Sequence, residues 1–84
     1  MAVEKRSEPR RQVYEAAAVW FGERTSTAGC VVSELSESGC RIQFDNPASL
    51  PPAFELSFGE NAIIERCEVV WRTDHEVGVR FARS

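Results

Sequence analysis

From Glu15 to the end, apolar and polar residues alternate with the period of two expected of strands that bury one face. Clusters of turn-forming residues interrupt the alternation at short intervals, and no segment carries a competing helical period. The first expected strand is roughly Glu15–Phe21, ending at Gly22; its alanines blur the alternation, but Val19, Trp20 and Phe21 favour extended backbone. A second strand is expected from about Thr27 to Leu35. A third runs from Cys40 to Phe44, with Cys40, Ile42 and Phe44 on one face and Arg41 and Gln43 on the other. Between them, Ser36-Glu37-Ser38-Gly39 reads as a tight polar turn in which glycine is available for a positive φ angle.

The stretch from Asp45 to Pro52 holds three prolines, which lack the N–H a ladder needs, so it is expected to be a crossing loop. A fourth strand, Ala53–Phe58, places Phe54, Leu56 and Phe58 inward, and Gly59-Glu60-Asn61 turns the chain into a fifth, Ala62–Arg72. Cys67, Val69 and Trp71 share its expected inner face. After a turn at Thr73–Glu76, the sixth strand faces Val77, Val79 and Phe81 inward and Arg80 outward. Six short strands in a chain of 84 residues favour a closed or nearly closed antiparallel barrel, because an open sheet leaves edges and a face uncovered.

Composition narrows the function. A hydrophobic fraction of 43% with 27% charged residues fits one soluble globular domain. No apolar run reaches the length of a membrane span and the N-terminus lacks an apolar leader, which points to the cytoplasm and away from membranes. Cys30, Cys40 and Cys67 lack C-x-x-C spacing and read as reduced, small apolar residues. His75 stands alone in a turn, so no metal site is expected. Ser36 has no histidine expected near it, and Glu55, Glu65, Glu68 and Glu76 sit mainly on solvated faces and turns. No enzyme is indicated.

The net charge of −3 argues against a protein that coats DNA or RNA. Residues 1–12, however, carry four basic against two acidic side chains, so +2 sits on this segment and −5 on the remainder. That segment is too polar to join the core and is expected to be a flexible arm in front of a barrel domain spanning 13–84. Within it, Arg6 and Arg10 lie four positions apart with Pro9 between them, which keeps them off a stable helix. Their forked guanidiniums match phosphate oxygens bidentately. By itself the pair reads better as a solvated basic tail, since the chain uses nine arginines and one lysine.

The second constellation is Glu34, Ser36 and Gly39: an acceptor for a guanine N–H edge, a hydroxyl, and a residue that permits close backbone approach. Without the arm it reads as an ordinary hairpin turn. Arg72 and Arg80 are expected as outward surface charges, and Trp20 and Trp71 as core residues.

Taken in order, these features resemble the PilZ family, whose signature is an R-x-x-x-R arm before a barrel and [D/N]-x-S-x-x-G on one of its turns. Arg6 and Arg10 match the first part, Ser36 and Gly39 the second, and Glu34 stands where Asp or Asn is usual. Cys67–Arg72 and Gly78–Phe81 are similar to the family's closing strand pair. The resemblance implies an all-β, six-stranded antiparallel, PilZ-type split barrel with a flexible N-terminal arm and little or no C-terminal helix. It also implies a bacterial second-messenger receptor, with Arg6, Arg10, Glu34, Ser36 and Gly39 binding cyclic di-GMP, and Arg11 and Arg80 next in line as additional contacts. No cofactor beyond that ligand is implied. Binding would rearrange the arm and signal to an unidentified effector protein, the receptor itself being a monomer or weak dimer. The departure at Glu34 keeps open the alternative of a degenerate domain that binds no nucleotide and acts as a protein–protein interaction module. A small barrel for single-stranded nucleic acid is the more distant reading, and the acidic total counts against it.

Overall fold

The computed structural model describes residues 10–22, 25–61 and 63–82. Six strands account for about two thirds of them: β1 Arg11–Phe21, β2 Ser26–Leu35, β3 Gly39–Gln43, β4 Ala53–Phe58, β5 Ile63–Arg72 and β6 Glu76–Phe81. Each pairs antiparallel with two neighbours in the order β1-β2-β3-β6-β5-β4, and β4 returns to β1 to close the barrel. Closure leaves every strand with a partner on both sides over part of its length, which is how a small all-β chain disposes of its edges.

The expected alternation is clearest in β4, where Phe54, Leu56 and Phe58 are buried and the residues between them are not. With Val19, Val32, Ile42, Cys67, Val77 and Phe81 they form one continuous core. Each such side chain contributes roughly 1.5–3 kcal/mol by leaving water. β1 starts at Arg11 rather than near Glu15, because Arg11 and Gln12 already ladder with Leu35 and Glu34 of β2. The strand ends at Gly22, whose φ of 62° suits glycine; Gly59, at 84°, does the same in the β4–β5 turn.

The proline-rich segment after β3 crosses the barrel end. It contains a 3₁₀ turn, Pro47–Ser49, and buries Pro47 and Leu50. Arg72 is exposed, as expected of a surface charge, but it is also engaged with this segment. Its Nη1 donates to the carbonyl oxygens of Pro47 at 2.5 Å and Leu50 at 2.7 Å, fastening this loop to the end of β5.

Two departures from simple alternation decide what the outer wall presents. In β2 the register against β3 runs Val32↔Ile42, then Glu34↔Arg41, leaving Ser33 as an inserted residue. In β5 the register against β6 runs Val69↔Val79, then Trp71↔Gly78, leaving Val70 inserted. An extra residue reverses the phase of everything beyond it. Leu35 therefore packs against the core while Glu34 and Ser36 face out. Trp71, expected inward with Cys67 and Val69, is instead 42% exposed.

Candidate functional site

The two bulges bring four residues into one row across the outer wall: Glu34 of β2 opposite Arg41 of β3, Arg41 opposite Gly78 of β6, and Gly78 opposite Trp71 of β5. The row runs from acceptor carboxylate through guanidinium and bare backbone to indole. A Cβ at Gly78 would fall inside the Trp71 ring, so the indole lies directly on that backbone. Above the row is a cavity of about 170 Å³ whose lining includes Arg10, Ser36, Gly39 and Arg80 besides the row itself.

The turn at one edge of the cavity is held from both sides. Ser36 N–H donates to the Gly39 carbonyl at 2.9 Å, and the Ser36 hydroxyl to the same oxygen at 3.3 Å. The Ser38 carbonyl accepts from Phe81 N–H at 2.7 Å, docking the turn on β6. Gly39 is required here for a reason other than the expected positive φ, which it does not have. An added Cβ would collide with the Val79 carbonyl oxygen and meet Arg80 Cα at 3.0 Å, so glycine lets the two backbones approach.

Three guanidiniums surround the cavity, each beside a carboxylate. Arg10 Nη1 lies 3.6 Å from Glu34 Oε1, and Arg41 Nε lies 3.6 Å from Glu76 Oε2. Arg80 donates through Nε at 2.9 Å and Nη2 at 2.6 Å to Glu68 Oε1. Solvated pairs of this kind are worth about 0–1 kcal/mol, so an incoming anion exchanges with them at little cost.

Cys40 also lines the cavity, yet it offers no nucleophile at neutral pH. Burial first, then the neighbouring Cys30 and Glu65, push its thiol up to about 12. Burial raises Cys30 to about 11, and Cys67 is raised too, by burial and then by Cys40, Glu65 and Cys30. All three are free thiols, with Cys30 and Cys67 buried and Cys40 half-buried. Among the described residues no group of three or more His, Cys, Asp or Glu is placed to hold a metal ion, and no helix is long and apolar enough to cross a membrane.

Of the residues singled out by sequence, Arg10, Glu34, Ser36, Gly39 and Arg80 meet at this one cavity. Arg11 does not; it is exposed in β1 opposite Leu35. Arg6, with all but the last three residues of the expected arm, lies outside the described residues. Sequence reasoning missed Arg41, Gly78 and Trp71. Outward alternation in β3 was a usable signal for Arg41, whereas Trp71 and Gly78 meet only because of the Val70 bulge.

A closed six-stranded antiparallel barrel with a charged, aromatic-edged cavity on its outer wall defines a small β-barrel domain of the PilZ type. The family model of the PilZ domain matches residues 4–84, and the chain belongs to that family, whose members are in general receptors for cyclic di-GMP. No curated protein matches the sequence.

Proposed function

We propose that this domain is a receptor for cyclic di-GMP that reorders its N-terminal arm on binding and so offers a new surface to a partner protein. The observation that carries the reading is convergence: Arg10, Glu34, Ser36 and Gly39, from three separate segments, line one cavity floored by Arg41 and edged by Trp71. Arg10, and Arg6 ahead of it, would take the phosphates, while the Glu34 carboxylate accepts from a guanine N1–H and N2–H edge. A cavity of about 170 Å³ is smaller than the roughly 300–1,000 Å³ of ordinary small-molecule pockets. Much of a dinucleotide would therefore stand proud of the wall, and an arm folding across it would supply the missing contacts.

One observation favours the competing reading of a degenerate interaction module. Glu34, one methylene longer than the usual Asp or Asn, already lies beside Arg10, 3.6 Å from its Nη1, so its carboxylate has a neighbour other than a guanine edge. Calorimetry separates the two. A charge-assisted arginine bond is worth about 1.5–3 kcal/mol, so Arg6→Ala and Arg10→Ala should each weaken cyclic di-GMP binding about ten-fold or more. Equal binding by wild type and both variants refutes the receptor mode described. A silent wild type together with binding by Glu34→Asp establishes the degenerate reading.

A further inference from the structure

Ser33 is the inserted residue of the β2 bulge, and its side chain is fully buried. A buried hydroxyl must find partners, and this one finds both on a single residue across the strand pair. Its Oγ donates to the Arg41 carbonyl oxygen at 3.2 Å and accepts from Arg41 Nε at 3.2 Å. The guanidinium is thus tied to its own strand at the inner end, and Glu76 flanks it at 3.6 Å. The consequence appears in exposure: the Arg41 side chain is 30% exposed, against 70% for Arg10 and 69% for Arg80. Arg10 must give up rotamer freedom to grip an anion, and Arg80 must first release its two bonds to Glu68, whereas Arg41 has surrendered most of its freedom in folding. With Nε held by Ser33, the Nη1/Nη2 edge is carried on the far side of the guanidinium, and Arg41 lines the cavity between Glu34 and Gly78.

We infer that Arg41 is the pre-organised cation of this site, contacting a phosphodiester oxygen of the ligand through its Nη edge, and that Ser33 is the positioning residue that aims it. The inference rests on the receptor reading above and assigns a contact neither arginine of the arm provides. Neither Ser33 nor Arg41 belongs to the sequence signature; the bulge alone brings them together.

The test is a double-mutant cycle by calorimetry with cyclic di-GMP on the full chain: wild type, Arg41→Ala, Ser33→Ala and the double variant, with Arg41→Lys as a fifth. Thermal melts of every variant report folding separately. Arg41→Ala should lose about ten-fold or more in affinity. Arg41→Lys should not restore it, because a lysine lacks the Nε that Ser33 holds and the forked edge beyond it. Ser33→Ala should lose affinity on the wild-type background and nothing further on the Arg41→Ala background; a merely structural serine would weaken both. Wild-type affinity in Arg41→Ala overturns the inference while leaving the receptor reading intact, as does full additivity for the role of Ser33. A silent wild type overturns both. Should Ser33→Ala melt before it can be titrated, the comparison of Arg41→Ala with Arg41→Lys still decides whether Arg41 makes the contact.

Discussion

Replacing Gly39 by alanine separates what the signature glycine does for the fold from what it does for a ligand. Its φ lies outside the left-handed region, so alanine is acceptable to the local backbone. The obstacle is β6. An added methyl collides with the Val79 carbonyl oxygen and touches Arg80 Cα at 3.0 Å and Val79 C at 3.1 Å, all backbone atoms with no rotamer to yield. Carbon–oxygen approaches settle at about 3.3–3.6 Å, so β3 and β6 must part locally by roughly 1 Å. That stretches the bond from Phe81 N–H to the Ser38 carbonyl, now 2.7 Å, and the neighbouring ladder. Overpacking costs about 1–3 kcal/mol, and weakening one or two hydrogen bonds adds about 1 kcal/mol each. A loss of about 2–5 kcal/mol is large against the roughly 5–15 kcal/mol that holds a domain together. With a urea m-value of about 1–2 kcal/mol/M, the unfolding midpoint should fall by at least about 1 M with m unchanged. A midpoint within about 0.3 M of wild type would show that the strands accommodate the methyl and that the steric argument is wrong.

Gly78→Ala poses the opposite case, since its obstacle is the half-exposed Trp71 ring, which can swing away. The variant should stay within about 1 kcal/mol of wild type in stability, show red-shifted tryptophan emission, and bind cyclic di-GMP about ten-fold more weakly through lost base stacking; unchanged emission refutes the stacked indole. Arg72→Ala removes two charge-assisted bonds to loop carbonyls, and should accelerate amide exchange at Leu50 and lower stability by about 1.5–3 kcal/mol; unchanged exchange refutes the staple. The thiols set an alkaline limit. Because folding raises them from 9.0 to about 11 in Cys30 and about 12 in Cys40, the folded state holds protons that the unfolded chain releases. Their contribution is fully present below pH 9 and is lost progressively as pH rises towards 11–12. Melting temperatures should therefore fall more steeply above pH 9 in wild type than in Cys40→Ala, and identical slopes refute the linkage.

The barrel was legible because alternation needs only that each strand bury one face, and β4 follows that rule without exception, matching its expected limits of Ala53–Phe58. The site was legible in part. Arg10, Glu34, Ser36 and Gly39 stood out as an ordered set of phosphate and guanine partners, and they do converge. What the sequence hid is the pair of bulges. A single inserted residue leaves no compositional trace, yet it reverses the phase of its strand, and Trp71 was placed in the core for that reason. The same reversal sets Arg72 level with inward-facing Val77, within reach of carbonyls in a loop distant in sequence. Gly39 was identified correctly as a special position for a different cause, since close approach to β6 depends on a partner strand that local turn chemistry does not reveal.

In the proposed receptor, cyclic di-GMP lies on the row Glu34–Arg41–Gly78–Trp71, capped by Arg10. A titration of the nitrogen-15 labelled chain followed by amide and indole N–H resonances tests it most directly. The shifts should concentrate at Arg10, Glu34, Ser36, Gly39, Arg41, Gly78 and the Trp71 indole, saturating with the nucleotide. A spectrum that stays still, or shifts confined to the separate cavity lined by Trp20, Glu55 and Arg66, would contradict it.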